Sequence, residues 1–137
     1  MSVPYLAQQV VMMPRDSNPQ GTIFGGVILS IIDMGAHTGA KHHVIQAGGE
    51  PPMLVTVAVN RVEFKHPVFV GDVVRCLVSL SKFGRTSVTV KVVIEAERGI
   101  ENIAVTEAEV VFVNIDRTSP DRKPKALFGP EGPRPVV

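Results

Sequence analysis

Asn18-Pro19-Gln20-Gly21-Thr22-Ile23-Phe24-Gly25-Gly26 is a polar turn that runs into a glycine pair, and Val27-Ile28-Leu29-Ser30-Ile31-Ile32-Asp33-Met34-Gly35 follows at once. The glycines open an apolar helix, and that helix carries one carboxylate in its oily middle. The first backbone N–H groups of a helix have no partner inside it, and glycine lets a reactant come close to them. A carboxylate two turns further on is placed to act on what those N–H groups hold. An oxyanion hole with a base or nucleophile nearby is the equipment of acyl transfer. Asp33 is therefore the leading candidate. Aspartate is a poor mid-helix residue, and here its neighbours are Ile31, Ile32 and Met34.

A second group, Gly84-Arg85-Thr86-Ser87, sets a guanidinium, two hydroxyls and backbone N–H groups on a glycine turn. That combination suits a phosphate, although a plain hairpin turn uses the same residues. Asn18 before Pro19 equally makes an Asx turn, and Thr22 fits a turn-stabilising role. His37 follows Asp33 by one helical turn, so an Asp–His pair at i, i+4 is available. Such a pair fits a dehydratase or part of a metal site, but no third donor converges by spacing. His42-His43 near the helix end suit its dipole. Ser30 lacks a nucleophile-elbow setting and Cys76 lacks a histidine motif, which argues against covalent serine or cysteine chemistry. Gly21 and Gly26 are not followed by Gly-Lys-Ser/Thr, so there is no Walker-type phosphate loop.

The elements that must position these groups are legible. Residues 3–13 read as an extended lead-in, and Pro14 to Gly21 as a loop. Gly25 to about Gln46 is helical, with Ile28, Leu29, Ile31, Ile32, Gly35, Ala36, Gly39 and Ala40 at helical spacing. The small residues in its second half allow a close approach to a neighbour. Gly48-Gly49 and Pro51-Pro52 end it. Strand patterns follow over Leu54–Phe64, Val73–Lys82, Val88–Ala96 and Ile103–Ile115, the second placing Val74, Cys76, Val78 and Leu80 on one face. From Asp116 onward, prolines, glycines and the cations Arg122, Lys123 and Lys125 predict a tail without regular structure. The order predicts an α+β fold: a long central helix wrapped by a twisted antiparallel sheet of five to six strands. Residues 1–116 form one domain and residues 117–137 a Pro-rich basic tail.

Composition bounds the function. With 45% apolar and 20% charged residues, the 137-residue chain is globular, and a formal net charge of +1 supplies no basic face for nucleic acid. One cysteine cannot close an internal disulfide, which points to a reducing compartment. The N-terminal residues show no signal-peptide pattern, and Ser30, Asp33, His37 and Lys41 interrupt the longest apolar stretch, so no membrane span is predicted. A cytoplasmic protein is expected. Long apolar strands at open sheet edges predict association into at least a dimer.

Three blocks carry a resemblance: Met13 to Gly26 with Ser30 and Asp33; Val55-Thr56-Val57-Ala58-Val59 through Phe64, Pro67 and Val70-Gly71-Asp72; and Gly84-Arg85-Thr86-Ser87. In that order the chain resembles the hotdog-fold acyl-CoA thioesterases of the cytosolic acyl-CoA hydrolase branch. Many members of that branch carry an acidic residue where this chain has Thr22, and a bulky aromatic where it has Val27. The resemblance implies a homodimer with sites at its interface, often built into a hexamer as a trimer of dimers. It implies that Asp33 is the catalytic carboxylate, with Asn18 near the thioester. A backbone N–H near Gly25 or Gly26 would bind the thioester oxygen from across the interface, and Arg85 and Ser87 would contact the coenzyme A nucleotide. The implied reaction takes acyl-CoA and water to a free acid and coenzyme A, with no metal or other cofactor. A hydratase or dehydratase using Asp33 and His37, and a non-catalytic acyl-CoA-binding module, are the alternatives.

Overall fold

The structure is a computed structural model and describes residues 3–135. Strand β1 (Tyr5–Val11) leads through a single 3-10 turn at Pro14–Asp16 into helix α1 (Gly25–Gln46). Strands β2 (Leu54–Phe64), β3 (Val73–Phe83), β4 (Ser87–Arg98) and β5 (Glu101–Asn114) follow. All five strands form one antiparallel sheet in the order β1-β3-β4-β5-β2. Hairpins join β3 to β4 and β4 to β5, so these long strands occupy the centre. β1 and β2 are left as the edges.

Strict alternation explains the core. Val74, Cys76 and Val78 of β3, Val88, Val90, Val92, Ile94 and Ala96 of β4, and Val110 and Phe112 of β5 are fully buried. Side chains alternate across a strand, so each strand commits one face to the helix. The helix contributes Ile28, Ile31, Ile32, Ala36, Ala40 and Val44 to the same core. Its closest approach is made by glycines. A Cβ added at Gly35 would overlap the Sγ of Cys76, and one at Gly39 would overlap Val78. Missing side chains there let the helix axis settle onto β3. Leu29 is an exception to the expected stripe: it is 41% exposed, because the core takes only positions near 28, 31/32, 35/36 and 39/40.

Two polar clamps hold the loops. Asp72, 6% exposed, accepts hydrogen bonds from the Phe69 N–H at 2.9 Å and from Arg98 Nε and Nη2 at 3.0 and 2.9 Å. Arg98 also donates to the Pro67 carbonyl and lies over the Phe69 ring, so one guanidinium fixes the whole turn before β3. Charge-assisted bonds of this kind contribute about 1.5–3 kcal/mol. At the other end, buried Asn114 accepts from the Met53 N–H at 2.9 Å and donates to the carbonyls of Lys125 and Ala126 at 3.1 and 3.3 Å. The segment after β5 holds neither helix nor strand among its described residues. It is nevertheless docked: Leu127 is 4% exposed, Phe128 meets Phe83 edge to face, and the Arg134 N–H donates to the Ala47 carbonyl at 2.7 Å.

Candidate active site

Asp33 stands on the face of α1 that turns away from the core, between buried Ile32 and exposed Met34. Thr56 of β2 reaches it: the Thr56 hydroxyl donates to Asp33 Oδ1 at 2.9 Å. These two residues, with Met34, His37 and Thr38, line a cavity of about 420 Å³. Thr56 was not among the residues that the sequence marks for chemistry. Its signal is slight, a single hydroxyl within the apolar run Leu54-Val55-Thr56-Val57-Ala58-Val59. The register explains the meeting. Thr56 pairs with Phe112 and Phe112 with Val88, so this row of the sheet lies beneath the middle of α1.

His37 shares the cavity with Asp33, but the two form no ion pair among the described residues. The imidazole and the Phe112 ring instead meet edge to face, with centroids 5.8 Å apart. The i, i+4 spacing puts two side chains on one face; here the carboxylate is taken by the strand below. His42 stacks on Tyr5 at 3.9 Å, and His43 Nε2 lies 2.9 Å from the Val78 carbonyl oxygen, so both late histidines serve packing between α1, β1 and β3. Among the described residues no three His, Cys, Asp or Glu side chains gather in a way that would hold a metal ion.

Asn18 builds the turn before the helix. Its Oδ1 accepts from the Gln20 N–H at 3.0 Å and the Thr22 N–H at 3.1 Å, and its Nδ2 donates to the Thr22 hydroxyl at 2.8 Å. Gly21 closes the turn at φ +86°, a left-handed conformation that glycine adopts without strain. The Asx-turn reading and the turn role of Thr22 therefore describe this chain. One amide hydrogen of Asn18 stays unused among the described residues. The turn delivers the chain to Phe24, which precedes α1 without a side-chain cap. The N–H groups of Gly25 and Gly26 have no acceptor among the described residues, and Gly26 has open space where a Cβ would stand. Gly25 lies against the Phe64 ring and lines a separate cavity of about 230 Å³ with Thr22, Ile23, Ile28 and residues 64–68.

A helix rises 1.5 Å per residue, so Gly25 and Gly26 of one chain lie about 10–12 Å along the axis from Asp33. An oxyanion donor and an attacking group must each come within about 3 Å of one carbonyl. A single chain cannot meet that requirement with these groups, in contrast to what their sequence spacing first suggests.

Gly84, Arg85, Thr86 and Ser87 close the β3–β4 hairpin. The Gly84 N–H donates to the Ser87 carbonyl at 2.8 Å and the Asn114 N–H to the Thr86 carbonyl at 2.7 Å. Leu127 of the docked tail donates to the Arg85 carbonyl at 3.0 Å. The loop is thus held by its backbone from two sides. The exposed Arg85 guanidinium has no partner among the described residues. Strands lie about 4.8 Å apart, so the hairpin end, two strands over from Val55, sits about 10 Å across the sheet from the strand that carries Thr56.

A single long helix cradled by a five-stranded antiparallel sheet, with a hydroxyl-tethered carboxylate on the helix's outer face, is a hotdog fold equipped for thioester chemistry. The chain belongs to the Thioesterase superfamily, whose family model matches residues 20–103. It is 38% identical over 122 residues to an uncharacterized acyl-CoA thioester hydrolase of Haemophilus influenzae, covering 85% of this chain and 75% of that one. It is 35% identical over 127 residues to the acyl-CoA thioester hydrolase YciA of Escherichia coli, covering 89% of each. A hexameric hotdog-fold thioesterase of Campylobacter jejuni superposes with a TM-score of 0.78 at 35% identity, covering 90% of each chain. No helix among the described residues is long and apolar enough to cross a membrane.

Proposed function

We propose that this protein hydrolyses acyl-CoA to a carboxylic acid and coenzyme A in the cytoplasm, in an assembly whose sites are each built by two copies of the chain. The observation that carries this reading is the Thr56–Asp33 hydrogen bond over a cavity, in a chain of the thioesterase superfamily. Thr56 engages only Oδ1, so Oδ2 stays free for a reactant. As general base, Asp33 takes a proton from water while the oxygen adds to the thioester carbonyl. The tetrahedral oxyanion then collapses, expelling the coenzyme A thiolate, which takes up a proton. As nucleophile, the carboxylate itself adds and expels the thiolate, and water opens the resulting anhydride. Either route needs donors for the oxyanion, and the free N–H groups at Gly25 and Gly26 of another copy meet that need. Asn18, which builds the turn before that helix start, comes to the reacting thioester with it. The cysteine usage fits a reducing compartment.

Two features favour a homodimer as the shared unit, built further into a hexamer as a trimer of dimers; the Campylobacter jejuni relative is hexameric. β2 is an unpaired sheet edge with Val57 and Val59 exposed, and the neighbouring outer face of α1 exposes Leu29 and Met34. Edges and faces of this kind are covered in stable proteins. Gly84-Arg85-Thr86-Ser87 receives the nucleotide phosphates, at a remove from the carboxylate that the pantetheine arm spans.

The test is thiol release from a panel of acyl-CoAs. Asp33→Asn is expected to lower kcat by a factor on the order of 100 or more, with circular dichroism unchanged. Folded Asp33→Asn with wild-type turnover would remove the carboxylate from the mechanism. Absence of release by the wild type, together with tight acyl-CoA binding, would identify a binding module instead.

A further inference from the structure

The cavity beside Asp33 is more polar than a plain alkyl chain requires, and one of its groups is unaccounted for. Its hydroxyls are engaged: Thr56 donates to Asp33, and Thr38 Oγ1 donates to the Met34 carbonyl at 3.2 Å. His37 is different. It lines the cavity one helical turn beyond Asp33, about 6 Å away at the Cβ atoms. Fully buried Phe112 braces its ring edge to face, while its nitrogens hold no hydrogen bond among the described residues. An acyl chain leaving Asp33 along α1 toward Thr38 meets this imidazole within its first few carbons.

We infer that His37 selects acyl groups bearing an oxygen function — hydroxyl, keto or carboxylate — close to the thioester. This rests on Asp33 being the reacting carboxylate. An alkyl chain laid over the imidazole strips its water and returns no hydrogen bond, whereas an oxygen at that point replaces the water. Sites that hydrogen-bond a substrate group discriminate against the analogue lacking it, because their own polar group is then left unpaired. For a single group at the mouth of a cavity the expected preference is about tenfold, which corresponds to about 1.4 kcal/mol.

The experiment measures kcat/KM by thiol release for butyryl-CoA against β-hydroxybutyryl-, acetoacetyl- and succinyl-CoA, in wild type, His37→Leu and His37→Gln. The wild type is expected to favour at least one oxygen-bearing substrate over butyryl-CoA by about tenfold or more. In His37→Leu that ratio should collapse, through a fall for the oxygen-bearing substrate and a rise for butyryl-CoA. His37→Gln, which keeps a donor and an acceptor, should retain the preference for hydroxyl and keto groups and lose any for carboxylate. A wild-type preference for butyryl-CoA, or one ratio shared by wild type and both variants, overturns the inference while leaving hydrolysis intact. Conversion of β-hydroxybutyryl-CoA to the enoyl thioester without thiol release also overturns it, in favour of a dehydratase. Absence of thiol release from every substrate in the wild type instead refutes the hydrolase reading itself.

Discussion

A carboxylate that receives one hydroxyl keeps its remaining lone pairs for a reactant, and a fixed rotamer costs it less entropy at the moment of attack. Thr56 gives Asp33 this arrangement. Thr56→Val preserves shape and removes the donor. It is expected to lower kcat about tenfold while moving KM little, since an orienting group acts mainly on the reacting step; steady-state kinetics on one acyl-CoA decides it. Arg85, in its proposed role, belongs to the opposite category. A guanidinium that grips a distant phosphate holds substrate and transition state alike, so Arg85→Ala should raise KM far more than it lowers kcat. The penalty, roughly 1–3 kcal/mol for a charge-assisted contact, should shrink for a truncated thioester without the nucleotide. Equal losses on both substrates would mean that Arg85 acts through the fold.

Helix α1 is the element on which most of this depends, and its seat has a pH dependence. His42, on α1, stacks on Tyr5 of β1, next to His43. Burial, and then the charge of His43, push the His42 pKa below its ordinary value of 6.5. The unfolded chain therefore takes up a proton there before the folded one does. Stability is full above the unfolded value and is lost as pH falls through it toward the lowered folded value. The melting temperature should drop as pH falls below the ordinary histidine value of 6.5, and less so in His42→Gln; differential scanning calorimetry measures both. The elements themselves were legible in the sequence because period and punctuation are local. Gly25–Gln46 reads as a helix from its apolar spacing and its flanking Gly and Pro, and β3 from the alternation of Val74, Cys76 and Val78. Asp33 stood out because an apolar helix gives a carboxylate no local purpose. Thr56 did not, because its meaning depends on a register in which β2 lies outside β5, 23 positions along the chain from Asp33. The brace of Phe112 behind His37, and the pinning of the Arg85 backbone by Leu127, are hidden for the same reason.

For the whole molecule, the proposed mechanism brings a helix start and a carboxylate to one carbonyl although they stand about 10–12 Å apart along one axis, which would make association part of the chemistry. Val57, 55% exposed on the free edge of β2, offers a way to separate folding from assembly. Val57→Lys places a charge where a second strand would pair, at little cost to the isolated fold. Light scattering should report a smaller species, thiol release should fall at least tenfold, and circular dichroism should stay the same. A monomer with full activity would exclude a site shared between copies.

The buried sulfur of β3 has one more consequence. Cys76 is 0% exposed, sealed beneath Gly35, and burial pushes its thiol pKa up to about 12. Thiolate, not thiol, exchanges with disulfides, and access is needed as well. An enzyme that releases a thiol at every turnover works beside that thiol and its oxidised disulfide, and any reachable cysteine would be capped by them in mixed disulfides. Placing its one cysteine under a glycine of α1 would leave this protein inert toward the product of the proposed reaction. In the folded protein, Ellman's reagent then counts released coenzyme A and nothing from the enzyme.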